Sequence, residues 1–525
     1  MCSMLINIHC AKCLGIEAVE VTVEVDITNG LGIHLVGLAD VAVKESLLRT
    51  VTAIQTLGFR IPGRKIVINL APADMQKSGS GYDLPIALGI LAASAQTDLP
   101  GIGKYVVMGE LGLDGSVRDV PGALPIADMA MNHGYSGCIL PARSALEATE
   151  YRNLSVFAVE SLGDVLRILQ EQEDCSDLLV WNTALYKEIS HGRGRGGPAF
   201  VQHGMDISEI IGQEGAKRGV EIAAAGGHNL IMVGPPGSGK SSLAKAMAGI
   251  LPPMTTQEAL VTSKIYSVAG LKGTETGLIR IRPFRSPHYS ATLTAIIGGG
   301  TGSDIRPGEI TLAHNGILFL DEYGQIPKSV LEALRGPMED RKVTISRLRC
   351  KLVYPSSFML VAASNPCPCG YYGEGDRCRC TSAQRAAYLS KLSGPMMDRI
   401  DIQILLRPVD TGKLVGRKKG ERGEEVAKRV MEARRRQEKR FASEEGTFTN
   451  AEMTGSMLEK YCPLDRDCRS VMEKLIEKLG LSARAYSRIL KVARTIADLS
   501  GTEDILPAHL MEAASFRFLD RHDAI

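Results

Sequence analysis

Asn229-Leu230-Ile231-Met232-Val233-Gly234-Pro235-Pro236-Gly237-Ser238-Gly239-Lys240-Ser241-Ser242 is the stretch that decides the fold class. The run ending at Val233 is short and continuously apolar, as a strand buried on both faces requires. Residues 234–241 fit the pattern G-x-x-x-x-G-K-[ST] in full, and Ser242 to Ile250 reads as the helix that must follow. Gly237 and Gly239 let the backbone turn its N–H groups inward on phosphates, and the helix N-terminus adds positive potential. Lys240 is placed to reach β- and γ-phosphates, and the Ser241 hydroxyl to ligate Mg²⁺. Gly234, Pro235, Pro236, Gly237, Ser238, Gly239, Lys240, Ser241 and Ser242 are therefore the candidate cradle for ATP, and the expected core is an α/β parallel sheet.

Two more apolar strands lie downstream. Gly316-Ile317-Leu318-Phe319-Leu320 runs into Asp321-Glu322, eighty residues after Ser241. Ligands bind at the carboxyl ends of such strands. Asp321 there would hold the Mg²⁺ shell and Glu322 would polarise an attacking water. Phe358-Met359-Leu360-Val361-Ala362-Ala363 ends at Ser364-Asn365. The Asn365 amide is placed to orient a water near the γ-phosphate; a turn-forming Asn before Pro366 is the plainer alternative.

These motifs, together with Arg282-Pro283-Phe284-Arg285-Ser286-Pro287-His288-Tyr289, Arg306 to His314, Asn365-Pro366-Cys367-Pro368-Cys369-Gly370 and Gly394-Pro395-Met396-Met397-Asp398-Arg399-Ile400-Asp401, resemble the magnesium-chelatase-like AAA+ ATPases. Within them the ComM/YifB family is the nearest match, and the resemblance covers nearly the whole chain. It implies a P-loop AAA+ core with a helical lid and a hexameric ring with ATP between subunits. It makes Arg399 the arginine finger for a neighbour's γ-phosphate; a local salt bridge with Asp398 or Asp401 is the alternative. It makes Arg484, in Ser482-Ala483-Arg484-Ala485-Tyr486, the sensor-2 arginine. Arg488 lies one turn on along the same helical face and leaves that choice open. The resemblance also puts a helix-2 insert and a pre-sensor hairpin between Leu251 and His314, projecting into the pore. Lys264, Tyr266, Lys272, Arg280, Arg282 and Arg285 in that stretch suit a phosphate backbone and stacked bases, or else are solvated loop charges. Gly298-Gly299-Gly300 reads as a mobile tip or a tight turn.

The stretch 1–170 alternates strands and helices. Val19 to Ile27 has strict period 2, Lys65 to Leu70 is a second strand, and Ala42 to Leu57 and Asp83 to Ala93 read as helices. Lys77-Ser78-Gly79-Ser80-Gly81 and Gly109 to Gly115 resemble the Lon-type (ribosomal S5 domain 2-like) α+β fold. On that pattern the Ser nucleophile falls on Gly81 and the Lys base on Leu124, so no peptidase is expected. A shifted register would pair Ser80 with Lys77. Residues 171–200 read as a linker, ending in the Gly-rich His191-Gly192-Arg193-Gly194-Arg195-Gly196-Gly197-Pro198. The ATPase core is expected over 201–410 and a helical lid over 411–525, with helices at Glu424 to Phe441 and Leu481 to Leu499.

Cys367-x-Cys369 and Cys378-x-Cys380 form two C-x-C pairs. Four thiolates suit a closed, structural Zn²⁺ site with no open position for catalysis. Free or redox-active thiols and a disulfide are the other readings. Cys10 and Cys13 have metal-like spacing but no second pair nearby.

The chain has 525 residues, enough for about three domains. Its net charge of +2 excludes binding to polyanions by bulk charge, so any nucleic-acid contact is a local patch. Twelve cysteines in such a length do not read as a secreted disulfide scaffold. No apolar run long enough to span a membrane and no secretory signal are visible, so a cytoplasmic setting is expected. Three jobs compete for the motor: DNA translocation, with branch migration in natural transformation as the resemblance-based form; remodelling of proteins or recombination-factor clients; and a chelatase subunit.

Overall fold

The computed structural model describes residues 5–192, 205–272, 276–300, 305–347, 350–373, 377–392, 396–408, 420–444 and 446–520. The first part of the chain builds a seven-stranded mixed sheet. Its strands are β1 (Ile6–Leu14), β2 (Glu17–Thr28), β3 (Ile33–Val36), β4 (Lys65–Ala71), β5 (Tyr105–Val107), β6 (Gly137–Pro141) and β7 (Ser155–Val159), in the order β3-β4-β2-β1-β5-β6-β7. The period-2 run emerges as β2, with Val21, Val23 and Val25 buried and the alternate residues half-buried. Helix α1 (Val41–Thr56) starts where the Asp40 side chain caps the Val43 N–H. Helix α2 (Asp83–Ala93) is buried on almost every side because it lies under the sheet; Arg49 neutralises its buried Asp83 at 2.8 Å. Helices α3 (Ala123–Asn132) and α4 (Leu162–Gln170) complete this core.

The linker expected over 171–200 is corrected in its first part. Cys175 and Val180 are buried in the first core, and the Trp181 indole N–H donates to the Thr149 carbonyl at 3.1 Å. A further helix, α5 (Ala184–Gly192), packs there through Leu185, Tyr186 and Ile189. The apolar side chains of 178–189 outweigh the acidic turn before them. The Gly- and Arg-rich piece at 193–200 lies outside the described residues.

The second half carries an all-parallel five-stranded sheet. After helix α6 (Glu214–Gly226) come β8 (Leu230–Val233), α7 (Lys240–Ile250), α8 (Thr256–Val268), β9 (Phe284–Arg285), β10 (Ile317–Leu320) and α9 (Lys328–Asp340). A hairpin of β11 (Lys342–Arg347) and β12 (Cys350–Pro355) follows, then β13 (Met359–Ser364), α10 (Ser382–Leu392) and β14 (Ile402–Leu405). The sheet order is β9-β10-β13-β8-β14. Every residue of β8 and β10 is buried, as continuous apolar runs in a doubly covered sheet demand. The C-terminal helices α11 (Gly423–Arg440), α12 (Arg466–Leu479), α13 (Ala483–Ser500) and α14 (Pro507–Ser515) share one hydrophobic core with one face of this sheet. Among the described residues no helix is long and apolar enough to cross a membrane.

The expected pore inserts are corrected by the same structure. The hairpin lies at 342–355, after Glu322, not between Leu251 and His314. The earlier stretch instead forms α8, which docks on the first domain. Leu124 of α3 packs with Met254, Ala259 and Leu278 in a small separate core. Lys264, only 8% exposed, bridges Glu17 at 2.9 Å and Asp128 at 2.8 Å. The Gly122 N–H donates to the Ser267 carbonyl at 3.0 Å. Gly298 and Gly299 form a tight two-residue ladder with Pro307 and Arg306; residues 301–304 lie outside the described ones.

Candidate active site

The parallel sheet sets its chemistry along one edge. β8, β10 and β13 run side by side, with Val233 opposite Ser364 and Leu320 opposite Ala362. The loops after them therefore converge. Gly237 and Gly239 take the left-handed conformation (φ +76° and +91°), which only glycine enters without strain, and α7 begins at Lys240. The Lys240 ammonium donates to the carbonyls of Gly234 (2.7 Å) and Pro235 (2.9 Å) and to Asn365 Oδ1 (3.1 Å). Burial draws this lysine below its ordinary pKa, and Asp321 acts against that shift. The Ser241 hydroxyl donates to Asp321 Oδ2 at 2.9 Å. The Glu322 N–H donates to Asp321 Oδ1 at 2.9 Å, and Glu322 itself sits at φ +49°, a conformation non-glycine residues rarely adopt outside constrained sites.

Three segments far apart in sequence thus meet by direct hydrogen bonds, Lys240 with Asn365 and the adjacent Ser241 with Asp321. A hydroxyl beside a carboxylate offers the hard oxygen ligands that Mg²⁺ prefers. An ammonium between a glycine-rich loop and an amide suits a polyphosphate. The residues present fit ATP with Mg²⁺.

Arg399 and Arg484 are not placed at this edge. They lie at the opposite one, where β14 begins. Asn229, just before β8, binds the Arg399 carbonyl through its side chain (2.9 Å) and accepts from the Asp401 N–H (3.0 Å). Strand β8 separates this end from the phosphate loop by four residues, about 13 Å. Arg399 pairs with Glu339 at the end of α9, and Arg484 with Asp398 at 2.6 Å. Arg488 pairs with Asp401, which His228 also contacts at 3.2 Å. Burial would raise the Asp401 carboxyl, but Arg488 and His228 hold it well below the usual range. Arg488 is therefore bound into a buried network, whereas Arg484 is 71% exposed.

This separates the two arginines experimentally. Arg488→Ala is expected to leave Asp401 short of a partner and cost about 3 kcal/mol, read as a lower melting temperature. Arg484→Ala is expected to change stability by less than about 0.5 kcal/mol and to lower ATP turnover at least ~10-fold. Unchanged turnover in Arg484→Ala would exclude it from ATP hydrolysis.

Each of the six basic and aromatic residues expected at a phosphate backbone or in solvated loops has a partner within the chain. Lys264 is spent on Glu17 and Asp128. The Tyr266 hydroxyl donates to the Leu312 carbonyl at 3.0 Å, and Lys272 reaches the Glu147 carbonyl at 3.3 Å. Arg280 pairs with Glu150 at 3.4 Å, Arg282 with Glu258 at 3.0 Å, and Arg285 with Glu309 at 2.6 Å. Their acidic partners sit in other elements, so no local pattern announced them. The hairpin β11–β12 lies outside the stretch where a hairpin is expected: Lys342 and Lys351 are exposed on it while Val343, Ile345 and Tyr354 are buried. Its strict alternation from Lys342 to Ile345 was the available signal.

The Ser80 and Lys77 register fails on contact. Ser80 donates to Glu110, and buried Lys77 donates to the Pro72 carbonyl. A side chain at Gly81 would meet Met108 Cε at 2.8 Å. Cys10 and Cys13 are each turned to backbone carbonyls, of Val21 (3.1 Å) and Gly122 (3.8 Å), and burial pushes the Cys13 thiol up to about 12.

The cysteines after Asn365 do come together. The sulfurs of Cys367, Cys369, Cys378 and Cys380 all lie within 4.8 Å of one another and can hold a metal ion. Cys367–Cys369, Cys367–Cys378 and Cys369–Cys378 are 3.4, 3.8 and 3.7 Å apart. The Tyr371 N–H draws the Cys369 thiol below its ordinary pKa, while the neighbouring sulfurs push the Cys378 and Cys380 thiols up.

Residues 206–414 match the family described as magnesium chelatase, subunit ChlI; residues 23–144 match subunit ChlI of Mg-chelatase, and residues 420–517 its C-terminal part. The YifB protein of Salmonella typhimurium is 42% identical over 98% of this chain and 97% of its own. Competence protein ComM of Haemophilus influenzae is 40% identical over 97% and 96%. The chain belongs to the ComM/YifB family of magnesium-chelatase-like AAA+ ATPases. A 55-residue segment is also 46% identical to the archaeal Lon protease of Halobacterium salinarum, covering 10% of this chain and 8% of that one. Two of the three matched parts of this ComM/YifB chain, 206–414 and 420–517, carry the two edges described above, and 23–144 covers strands β3 to β6 of the first sheet.

Proposed function

We propose that this ComM/YifB-family chain is an ATP-hydrolysing ring motor acting on DNA. The observation that carries the reading is the division of the sheet into two edges. Lys240, Ser241, Asp321 and Asn365 stand at one, Arg399 and Arg484 at the other. A single chain cannot bring both sets to one phosphate, whereas a ring of six copies can, each lending its arginines to the next. Within the site, Lys240 binds the β- and γ-phosphates. Ser241 and Asp321 hold Mg²⁺, which when bound neutralises phosphate charge. Glu322 takes the proton of the attacking water, and Asn365 orients that water. The arginines stabilise charge on the neighbour's transferring phosphate. The first 170 residues act as a Lon-like domain without peptidase activity, and the four cysteines hold Zn²⁺.

The name of the Haemophilus relative, a competence protein, and the exposed lysines of the hairpin support DNA as the client. One observation favours a second reading, a protein client: six of the basic and aromatic residues between Leu251 and His314 are engaged within the chain.

Steady-state ATPase rates with single-stranded, duplex and branched DNA at two salt concentrations separate these readings. The expected result is a DNA-stimulated rate that falls with salt and loses its stimulation in Lys351→Ala. A rate indifferent to every DNA would overturn the DNA reading and point to a protein or a chelation partner.

A further inference from the structure

The loop from Asn365 to Tyr388 joins the cysteine cluster to the ATP site at three places. Cys367, fully buried, is two residues after Asn365, whose side chain holds Lys240. Gly370, directly after Cys369, lies on the phosphate loop in a left-handed conformation (φ +86°). A Cβ there would stand 2.8 Å from Pro236 Cδ, 3.0 Å from its Cγ and 3.7 Å from the Asn365 side chain. Beyond Cys380 the chain enters α10, where the Tyr388 hydroxyl bonds Ser364 Oγ at 3.2 Å. The same hydroxyl covers Gly324, two residues after Glu322, where a Cβ would be 2.6 Å away.

Little else orders this loop. Its composition, with Gly370, Gly373 and Gly375 and few apolar side chains, offers little hydrophobic driving force to offset conformational entropy. The stacking of Arg377 on Tyr371 and of Arg385 on Tyr372 (5.0 and 4.4 Å) adds a small term each. The sulfurs, by contrast, are already spaced for a metal. Zn–S bonds of about 2.3 Å in a tetrahedron set sulfurs about 3.8 Å apart, against 3.4, 3.8 and 3.7 Å among Cys367, Cys369 and Cys378, with all four sulfurs within 4.8 Å of one another. A disulfide needs about 2.05 Å.

We propose that a zinc ion held by Cys367, Cys369, Cys378 and Cys380 is a brace for the ATP site, fixing Asn365 and Pro236 in register so that ATP turnover, but not ATP binding, requires the metal. The inference rests on the zinc reading above. The cysteines are positioning residues that act through Asn365 and the phosphate loop. Lys240 keeps its bonds to the Gly234 and Pro235 carbonyls, and Ser241 its bond to Asp321, without them, so affinity is retained. Misplacing a water-orienting amide by about 1 Å is enough to cost ~10²-fold in rate.

The test uses the full-length protein, with zinc measured by mass spectrometry, turnover by steady-state ATPase and affinity by a fluorescent ATP analogue. Wild type is expected to carry about one zinc per chain. Cys378→Ser is expected to lose it, with kcat falling ~10- to 100-fold and nucleotide affinity unchanged. Cys378→His, which restores a zinc ligand, should recover both metal and turnover. In an Asn365→Ala background, Cys378→Ser should add no further loss, because the two act as one unit. Wild type without zinc would overturn the zinc reading and the brace with it. A zinc-free Cys378→Ser with wild-type turnover would overturn the brace alone, as would full additivity with Asn365→Ala. Should Cys378→Ser fail to fold, Gly370→Ala decides: it keeps all four thiols and the metal and is expected to lose turnover, and wild-type turnover there would overturn the coupling.

Discussion

Glu322→Gln is expected to bind ATP as wild type does and to hydrolyse it about 10²- to 10³-fold more slowly. The substitution changes little except basicity. The Glu322 backbone N–H, not its side chain, donates to Asp321, so the turn that presents the residue survives. Glutamine enters the φ +49° conformation no less readily than glutamate. Asp321 keeps its bond to Ser241, and Lys240 keeps its three acceptors. What is lost is the carboxylate that accepts a proton from water. Nucleotide binding and turnover measured on the same preparation separate these effects. Turnover near the wild-type rate would mean that another group activates the water.

Leu124→Asp is expected to cost about 4 kcal/mol or more and to release helix α8 from the first domain. Leu124 is fully buried among Met254, Ala259 and Leu278. An aspartate there would place a charge within an apolar contact, and buried Glu147, whose carboxyl burial already pushes up, would oppose it. Leu124→Ala, which only opens a cavity, is expected to cost about 2–4 kcal/mol. The readout is the melting temperature. Equal stability of wild type and Leu124→Asp would show that the two halves do not depend on this contact. On the Lon-like register, the position of the lysine base falls on Leu124, a docking residue for the ATPase half, and the position of the serine on Gly81, where a Cβ would stand 2.8 Å from Met108 Cε.

How much was legible in the sequence follows the range of the interactions. The phosphate loop, the strands ending in Asp321-Glu322 and Asn365, strand β2 and helices α1, α2, α11 and α13 are local: each follows from apolar period, a cap or a glycine within a dozen residues. The C-x-C pairs are local too, and their closeness in space follows from one short loop. The pairing of charges is not local. Lys264 meets Glu17 and Asp128, residues 247 and 136 positions away, and nothing in the spacing of basic side chains indicates whether an acid awaits them. The same holds for the choice between Arg484 and Arg488, which are one helical turn apart. Only the buried Asp401 across the fold absorbs one and leaves the other exposed. The apolar run at 178–181 reads as linker beside an acidic turn, and only the open flank of the first core shows what it covers. The sequence by itself determined the fold class, the ATP cradle, the four thiols and the family, because each rests on residues close in the chain. The tertiary structure alone decided which charges are spent, where the hairpin lies, and that the phosphate loop and the arginines occupy opposite edges of one sheet, because burial and strand order bring together residues that are hundreds of positions apart.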